Sequence, residues 1–460
     1  MSNNSPNKNR ENGFLEKLGM LAERNSRIES ELYDRFSVKR GLRNKDGTGV
    51  LVGLTEIGEV HAYIMDEGER VPIEGRLFYR GIDISDLVRG FHEEKRHGFE
   101  ECAYLLLFGV LPNREELAAF NRLLNEYRII PEKADASMTL KNPSRNVMNN
   151  LARSVLGMYR YDEKPDDTSI SNIIRQSIAL ISRISVFAAH NYRLMAHYYK
   201  EKSLIIHSPR PDLSTAENFL YMIRPDSRYT AKEAELLDLC ILLHAEHGGG
   251  NNSTFTAHVV TSSGTDIYSA VASALGSLKG PRHGGANIKV MEMIEDIRKN
   301  IGYSADEKKT KDYLRRIMKG EVFDRSGLIY GLGHAVYTVS DPRAVILKEK
   351  GRELAGEKGM EDEFRLYEMV EKLGPEVFNE EKGINRPLCA NVDLYSGMVY
   401  KMLDIPVELY TPLFAIGRIA GWCAHIVEEI INGGKIIRPA YKSIVRRSEY
   451  ISMADRGRQE

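Results

Sequence analysis

The chain has 460 residues, of which 42% are hydrophobic and 28% are charged, a composition that suits a globular protein with a sizeable core. Its formal net charge of -1, with no basic run interleaved with aromatic residues, argues against a nucleic-acid partner. Because the sequence shows no apolar window of about 18 residues, no signal-peptide pattern and no C-x-x-C spacing among its four cysteines, we expect a cytoplasmic protein with reduced thiols and no membrane partner.

The N-terminal extension, residues 1–40, begins with the polar segment MSNNSPNKNREN and continues with apolar residues at loose helical spacing. This pattern predicts a partly disordered start followed by helix. Residues 46–65, DGTGVLVGLTEIGEVHAYIM, then combine an Asp-Gly turn with short β-branched runs, which predicts a small β-hairpin.

Helices dominate the prediction from Phe99 onward. The segment FEECAYLLLFG predicts a helix that ends near Gly109, and Asn113 with Glu116 has the spacing of a capping box at the start of the next helix. Apolar periodicity predicts further helices at residues 170–200, 216–223, 231–247, 266–279, 287–300 and 308–319.

The C-terminal part of the chain changes character twice. Residues 345–384 are richly charged and predict solvent-facing helices, whereas residues 411–434 predict a long buried helix closed by Gly433 and Gly434. A charged helical section between apolar ones suggests a smaller domain inserted into a larger one, and the absence of βαβ alternation argues against a parallel-sheet fold. We therefore predict a mainly α protein.

Three glycine clusters each contain one or two histidines. A lone histidine is more often a packed or surface residue than a catalyst, but repetition beside glycines indicates a site. His244 ends an apolar helix, so we interpret it as packed, while His247, followed by three glycines, is better placed to face a cavity. The three clusters are LHAEHGGGNN, GPRHGGAN and YGLGHAVYTVSDPRA.

His283 lies on a glycine-lined turn just before a predicted helix. The positive end of the helix dipole opposes protonation, so we expect a neutral imidazole that can polarise a carbonyl. A polarised carbonyl has acidic α-hydrogens, and Asp393 in CANVDLYSG is the best candidate for the base that removes one. The alternative for Asp393, a structural helix cap, stays open from the residues alone.

Two arginines stand out by their context. Arg418 lies within the apolar segment LFAIGRIAGW, where an unpaired guanidinium is costly, and Arg343 follows a proline turn downstream of His334. Each either pairs with a protein carboxylate or helps to capture a small dicarboxylate. Other motifs fail on detail, because HAEH lacks H-E-x-x-H spacing, GLGHAV lacks a third glycine and GGGNNS lacks the lysine of a phosphate loop.

With these residues assembled, the chain resembles the si-type citrate synthase family, which includes 2-methylcitrate synthases. The resemblance extends from about residue 41 to about residue 442, and the specificity comes from the order of many motifs rather than from any one. These motifs are GLRNKDGTGVLVGLTEIG, LFYRGIDISDL, FEECAYLLLFG, LHAEHGGGNNSTFT, GPRHGGAN, GLGHAVYTVSDPRA, NVDLYSG, FAIGRIAGW and KIIRP.

The resemblance implies a citrate synthase-like two-domain helical fold with a small N-terminal β-hairpin region. A large domain of residues 41–285 and 399–460 surrounds a small helical domain of residues 286–398, and the molecule is a homodimer. The implied activity belongs to the acyltransferases of EC class 2.3.3, in which acetyl-CoA and oxaloacetate condense to citryl-CoA and then yield citrate and CoA. CoA thioester is a substrate, and no cofactor or metal is implied.

The resemblance also assigns roles to residues at matching positions. In the catalytic set, His283 donates to the thioester carbonyl, Asp393 removes the methyl proton and His334 polarises the ketone of oxaloacetate. Arg438 reaches the site of the partner subunit. The other substrate-binding positions are His247, Asn251, Arg343 and Arg418, and the positions beside CoA are Gly331, Leu332, Gly333 and Asn391.

The chain departs from the family pattern at two positions. Gly248 replaces an acidic or polar residue of many relatives, and Thr338 replaces a basic one. Lys348 and Lys350 lie nearby in the sequence as alternative partners for the CoA phosphates.

Three alternative functions remain at this point. A 2-methylcitrate synthase would use propionyl-CoA, and one methylene is a matter of pocket shape that the sequence does not display. A metal-dependent hydrolase would use His244, His247, His283 and Asp393 as ligands. A non-catalytic CoA-binding regulatory module would bind ligand without turnover.

Overall fold

The computed structural model describes residues 6–45, 47–130, 143–303 and 306–456. The chain forms two compact units, residues 1–54 and residues 55–460. In the first unit, helix α1 spans Pro6–Ser26 and helix α2 spans Ser30–Arg35, and a short loop is closed by a bridge between Arg43 and Gly49. The predicted helix of the N-terminal extension lies in α1 and α2, but α1 begins at Pro6, within the segment expected to be disordered, and residues 1–5 of that segment lie outside the described residues.

A three-stranded antiparallel sheet opens the second unit. Strand β1 spans Gly58–Asp66, β2 spans Glu69–Tyr79 and β3 spans Ile82–Asp83, in the order β1-β2-β3. The predicted hairpin is confirmed, but it lies further along the chain, because β1 falls in the predicted segment and β2 follows it. The buried Tyr79 ties the sheet to the helices, since its hydroxyl donates to the Leu242 carbonyl at 3.0 Å.

Helices make up most of the rest of this unit. Between the sheet and residue 243 they are α3 (Ile84–Glu93), α4 (Phe99–Phe108), α5 (Arg114–Arg128), α6 (Val147–Gly157), α7 (Ile170–Lys200), α8 (Thr215–Ile223) and α9 (Ala231–Leu243). After residue 243 they are α10 (Asn252–Thr261), α11 (Ile267–Leu278), α12 (Ala286–Ile301), α13 (Glu307–Met318), α14 (Pro342–Lys358), α15 (Glu361–Lys382), α16 (Val392–Met402) and α17 (Tyr410–Ile431).

Local sequence signals set several of these boundaries. The predicted capping box at Asn113 and Glu116 is present at the start of α5. The predicted charged stretch divides into α14 and α15, because Gly359 adopts a left-handed conformation at φ 65° and ends α14. The helix predicted over 231–247 stops at Leu243, where His244 takes the C-cap position and the chain leaves the helix.

Helix α17 is the centre of the core. It packs against α7, α10, α4 and α11, and Trp422 and Arg418 are among its fully buried side chains. Helix α16 packs against α12 and α14. Within the described residues, no helix is both long and apolar enough to cross a membrane, and all four cysteines are buried free thiols.

Candidate active site

Four irregular segments and α17 bring the predicted residues together. Residues 244–251 link α9 to α10, residues 279–285 link α11 to α12, and residues 329–341 precede α14. The N-terminus of α16 supplies the fourth segment. Because the ends of six helices, α9, α10, α11, α12, α14 and α16, supply these segments, the site is lined by turns.

Glycines of α17 let it pack closely against the end of α9 and the 244–251 turn. A Cβ at Gly417 would lie 2.4 Å from the Ile241 carbonyl oxygen, and one at Gly421 would lie 2.4 Å from the Ala245 carbonyl oxygen. Real Cβ atoms do not come this close, so the two positions require glycine. The Gly421 N–H also donates to the Ala245 carbonyl at 3.2 Å, which fixes the turn against the helix.

Arg418 is a fully buried cation with unused donors. Its Nε donates to the His244 carbonyl at 2.7 Å, while Nη1 and Nη2 are enclosed without a hydrogen-bond partner among the described residues. Burial lowers the pKa of Arg418 to about 10, so the group keeps its charge at neutral pH. A buried cation with two free donors needs an anion, as its apolar sequence context predicted.

Arg343 has a protein partner. It is 3% exposed, and its Nε and Nη2 bind Asp341 at 3.0 and 2.7 Å. Asp341 also caps α14 and accepts from the backbone N–H of Val392 at 3.2 Å, at the start of α16. Arg343 therefore pairs with a protein carboxylate, which is one of the two possibilities that the sequence left open. Asp341 does not bind Nη1 of Arg343.

His247 and His334 lie edge to face with ring centres 5.0 Å apart. Burial and then the charge of Arg343 hold the pKa of His247 well below its usual range. Nδ1 of His334 accepts from the backbone N–H groups of Val336 and Tyr337 at 3.0 and 3.1 Å. Because that nitrogen is an acceptor, Nε2 carries the proton, and His334 is a neutral hydrogen-bond donor.

His283 is oriented by a buried serine. Its Nε2 lies 3.0 Å from Ser253 Oγ, which also accepts from the indole N–H of Trp422 at 3.1 Å and contacts Asn251 Oδ1 at 2.9 Å. Burial, followed by the charge of Arg418, lowers the pKa of His283 to about 4. The imidazole is neutral as predicted, but burial rather than the helix dipole is the main cause.

His244 lies beside the same group of charges. Its ring is buried and stacks on Phe414 with centres 4.3 Å apart, and neither ring nitrogen has a partner within the described residues. Phe414 also lies 4.9 Å from the Arg418 guanidinium and 6.1 Å from the His283 ring. His244 is packed, as expected, although against the site rather than inside α9.

Asp393 occupies the second position of α16. Its Oδ1 is enclosed and has no hydrogen-bond partner in the described parts of the chain, and its backbone N–H donates to the side chain of Asn391 at 3.0 Å. Burial raises the pKa of Asp393 to about 6, with Arg343 opposing and Asp341 reinforcing the shift. The helix cap is Asn391, so Asp393 keeps a free carboxyl group.

The predicted CoA loop is held by the segment before α16. Gly331 and Gly333 both have φ of 84°, and the loop forms a bridge between Leu332 and Ala390. The side chain of Asn391 donates to the Gly333 carbonyl at 2.8 Å and caps α16 with its oxygen. Both ends of that amide are therefore used within the protein.

Other predicted positions are not gathered into this group. Arg438 is exposed in the segment after α17. Lys348 pairs with Glu371 and Lys350 with Glu353, so both lysines already have carboxylate partners.

The metal-hydrolase hypothesis required four side chains to share one ion. Over residues 6–45, 47–130, 143–303 and 306–456, no group of three or more His, Cys, Asp or Glu is arranged to hold a metal. His283 is instead bound to Ser253, and His244 is stacked on Phe414.

Comparison with known proteins agrees with this arrangement. A family model described as citrate synthase, C-terminal domain, matches residues 46–440. The chain belongs to the citrate synthase family. Within this family, the citrate synthase of Haloferax volcanii is 35% identical over 407 residues, which cover 87% of this chain and 94% of the relative.

Further members of the citrate synthase family extend the match to structure. A Bacillus subtilis relative named citrate/2-methylcitrate synthase is 32% identical and covers 79% of this chain and 89% of its own. The crystal structure of citrate synthase from Thermotoga maritima, 31% identical, has a TM-score of 0.71 and covers 91% of this chain and 99% of its own. The predicted citrate synthase-like helical fold is confirmed.

The sequence argument for a citrate synthase family site missed several supporting residues. Ser253 orients His283, Asp341 holds Arg343, and Glu246 is a fully buried carboxylate that binds His425. Glu246 lies beside His247 in the sequence, but its partner is 179 residues away. The one local signal was HAEH, which places an acidic residue inside a histidine cluster.

Proposed function

We propose that this chain is a citrate synthase that condenses acetyl-CoA with oxaloacetate and water, releasing citrate and CoA. The observation that carries the proposal is the buried guanidinium of Arg418, whose Nη1 and Nη2 have no partner within the described part of the chain. A carboxylate matches two parallel N–H donors in geometry and charge. Oxaloacetate offers two carboxylates beside a ketone.

Oxaloacetate binding draws on the groups around Arg418. One substrate carboxylate pairs with the free nitrogens of Arg418, and the second lies toward Nη1 of Arg343. His247 is neutral, its enclosed Nε2 has no partner over the described ranges of the chain, and it adds a hydrogen bond. His334 directs its Nε2–H to the ketone oxygen, and Asn251 lines the same turn.

Enolisation of acetyl-CoA follows from the contrast between Asp393 and His283. Asp393, with a pKa raised to about 6, is mostly ionised at neutral pH yet basic enough to remove the methyl proton. His283, with a pKa of about 4, stays neutral; when the Ser253 hydroxyl turns from Asn251 and donates to Nε2, the single ring proton lies on Nδ1 and is donated to the thioester oxygen. A fixed donor at the oxygen is needed because charge develops there as the proton leaves.

Condensation joins the two substrates. The enol carbon forms a bond to the ketone carbon of oxaloacetate, and the ketone oxygen, polarised by His334, takes up a proton to give citryl-CoA. Water then cleaves the thioester C–S bond, and citrate and CoA leave. Exclusion of water until the C–C bond has formed protects the enol from reprotonation.

The Bacillus subtilis relative named citrate/2-methylcitrate synthase supports one alternative, the use of propionyl-CoA in the same mechanism. The extra methylene contributes only about 1–3 kcal/mol of discrimination, so both substrates belong in the assay. A CoA-binding module without turnover is the other alternative. We place the activity in the cytoplasm, where the four buried thiols stay reduced.

A thiol-release assay with oxaloacetate and each acyl-CoA tests the proposal. We expect turnover with acetyl-CoA, and the ratio of kcat/KM values shows whether propionyl-CoA is preferred. Arg418→Lys keeps the charge but removes the planar pair of donors, so kcat/KM for oxaloacetate should fall about 30- to 1000-fold. The exposed Arg122→Ala on α5 is the control. Ligand binding without thiol release from either acyl-CoA would contradict the proposal.

We propose that the active molecule is a homodimer in which Arg438 completes the partner's site. In support, the segment after α17 exposes large side chains, with Tyr441 95%, Val445 83% and Tyr450 85% exposed, a pattern typical of a surface that binds protein. This segment is anchored at Ile437, whose N–H donates to Ser262 at 3.1 Å.

Complementation tests the shared site. Arg438→Ala and Asp393→Asn should each be nearly inactive alone, whereas a dimer with one chain of each type has one intact site. Random mixing should therefore restore about a quarter of the wild-type activity. If the mixture stays as inactive as the separate variants, Arg438 does not act across the interface.

A further inference from the structure

Glu246 lies buried along α17 between two cations. Its side chain is 0% exposed, and Oε2 packs against Gly421, where a Cβ would lie 2.4 Å away. Gly421 is one helical turn after Arg418 and one before His425. Burial lowers the pKa of Arg418 and the charge of Glu246 opposes this shift, while at His425 the charge of Glu246 raises the pKa against burial.

The carboxylate is bound to His425 and not to Arg418. Glu246 Oε1 accepts from His425 Nε2 at 3.0 Å and from the backbone N–H of Gly248. Among the residues that the structure describes, Oε2 has no hydrogen-bond partner, and neither do the two Nη atoms of Arg418. A buried carboxylate oxygen and a buried guanidinium that both lack partners would pair if nothing held them apart.

The surroundings of His425 fix its protonation. Its Nε2 faces Glu246, while Nδ1 faces His258 Nε2 at 3.3 Å and Glu428 at 3.6 Å. His258 in turn contacts Glu429 through Nδ1 at 2.8 Å. Glu246 and then Glu428 raise the pKa of His425 to about 9 against its burial, so His425 is a cation at neutral pH.

We propose that His425 is a positioning residue: it binds the Glu246 carboxylate and keeps it from capturing Arg418, so that Arg418 stays free for a carboxylate of the substrate. This inference rests on the proposed role of Arg418 in binding oxaloacetate. The Glu246 carboxylate held by His425 also binds the backbone N–H of Gly248, which fixes Gly248 beside His247. Both effects therefore act on the binding of oxaloacetate.

Loss of the His425 charge has a specific consequence for oxaloacetate binding. Without its cation, Glu246 turns to Arg418 when ionised, which blocks the substrate carboxylate and raises KM for oxaloacetate. Pairing with Arg418 keeps Glu246 ionised across the neutral range, so the defect in His425→Gln should be nearly independent of pH there. The titratable groups that face His425 are Glu246, Glu428 and His258, and Glu429 lies behind His258. All four contribute to the charge state of His425.

The experiment compares His425→Gln, Glu246→Gln and the double variant by steady-state kinetics between about pH 6 and about pH 8. We expect His425→Gln to raise KM for oxaloacetate about tenfold or more at both ends of this range, because Glu246 paired with Arg418 stays ionised throughout it. KM for acetyl-CoA should change little. Glu246→Gln should be milder, and the double variant should recover KM to within about threefold of wild type, since neither charge remains.

A matched control is available on the surface. His92 and Glu235 form an exposed pair at 3.4 Å, so His92→Gln with Glu235→Gln should leave both KM values unchanged. The proposal would be overturned if His425→Gln and Glu246→Gln raised KM for oxaloacetate equally, or if the KM of the double variant were no lower than that of His425→Gln. Either result would indicate that the pair is merely structural.

Folding and function are separated by two further measurements. If His425→Gln unfolds, the double variant decides alone: a normal KM for oxaloacetate supports the proposal, and a raised KM overturns it. Wild-type turnover tests the citrate synthase assignment separately. If wild type binds oxaloacetate in calorimetry without turnover, the assignment fails, and the same variants then test Arg418 through the dissociation constant.

Discussion

Gly421→Ala offers a direct test of how α17 organises the site. The added Cβ would lie 2.4 Å from both the Ala245 carbonyl oxygen and Glu246 Oε2, where ordinary contacts begin at 3.4 Å. Helix and turn must therefore separate by about 1 Å. Neither neighbour is a flexible side-chain end in open space, since the first is backbone and the second is buried.

The cost can be estimated from this overlap. Overpacking by one methyl group in a close-packed interior typically destabilises by about 1–3 kcal/mol. The displacement also moves the Arg418 contact with the His244 carbonyl, so we expect KM for oxaloacetate to rise while KM for acetyl-CoA changes less. The two measurements are the denaturation midpoint, which should fall, and the ratio of KM for oxaloacetate to KM for acetyl-CoA, which should rise.

Gly276→Ala is the matched control. Gly276 lies within α11 and has open space where its Cβ would be, so alanine there should stabilise the protein by about 0.5–1 kcal/mol through helix propensity. A Gly421→Ala enzyme with wild-type stability and wild-type KM would refute the argument that this contact sets the turn.

The remaining predictions concern α16. Activity should fall as pH drops through about 6, because Asp393 must be ionised to act and protonation removes the base; a pH profile of kcat/KM without a limb near that value would contradict this role. Asp393→Asn should lower kcat by about 10²- to 10⁴-fold, while the exposed Asp404→Asn, where φ of 53° suits asparagine, should leave it unchanged. Asn391→Ala removes a helix cap and the tie to Gly333, so we expect about 1 kcal/mol of destabilisation and a raised KM for acetyl-CoA; unchanged values of both would argue against the tie.

Local sequence patterns were sufficient for most of the fold. Helix periodicity located α7, α8, α11 and α17 to within a few residues, and capping spacing predicted the start of α5. Boundaries failed where a tertiary contact decided them. The end of α9 is an example, because the chain leaves the helix at His244 to meet α17.

The candidate site was predictable where a residue conflicted with its own surroundings. Arg418 in an apolar helix and His283 on a glycine turn were visible for that reason. Ser253, Asp341 and His425 were not, because a serine, an aspartate or a histidine in such a segment is unremarkable until its distant partner is known. The charge balance of Glu246 depends on a residue 179 positions away.

The orientation of His334 is imposed by peptide groups rather than by side chains. Since the N–H groups of Val336 and Tyr337 hold Nδ1, the choice of side chain at position 336 is free of this constraint. Proline is the exception, because it has no N–H to donate. A library at position 336 should therefore exclude proline and retain apolar residues, because the Val336 side chain packs against the cluster of Ala62, Tyr337 and Cys389.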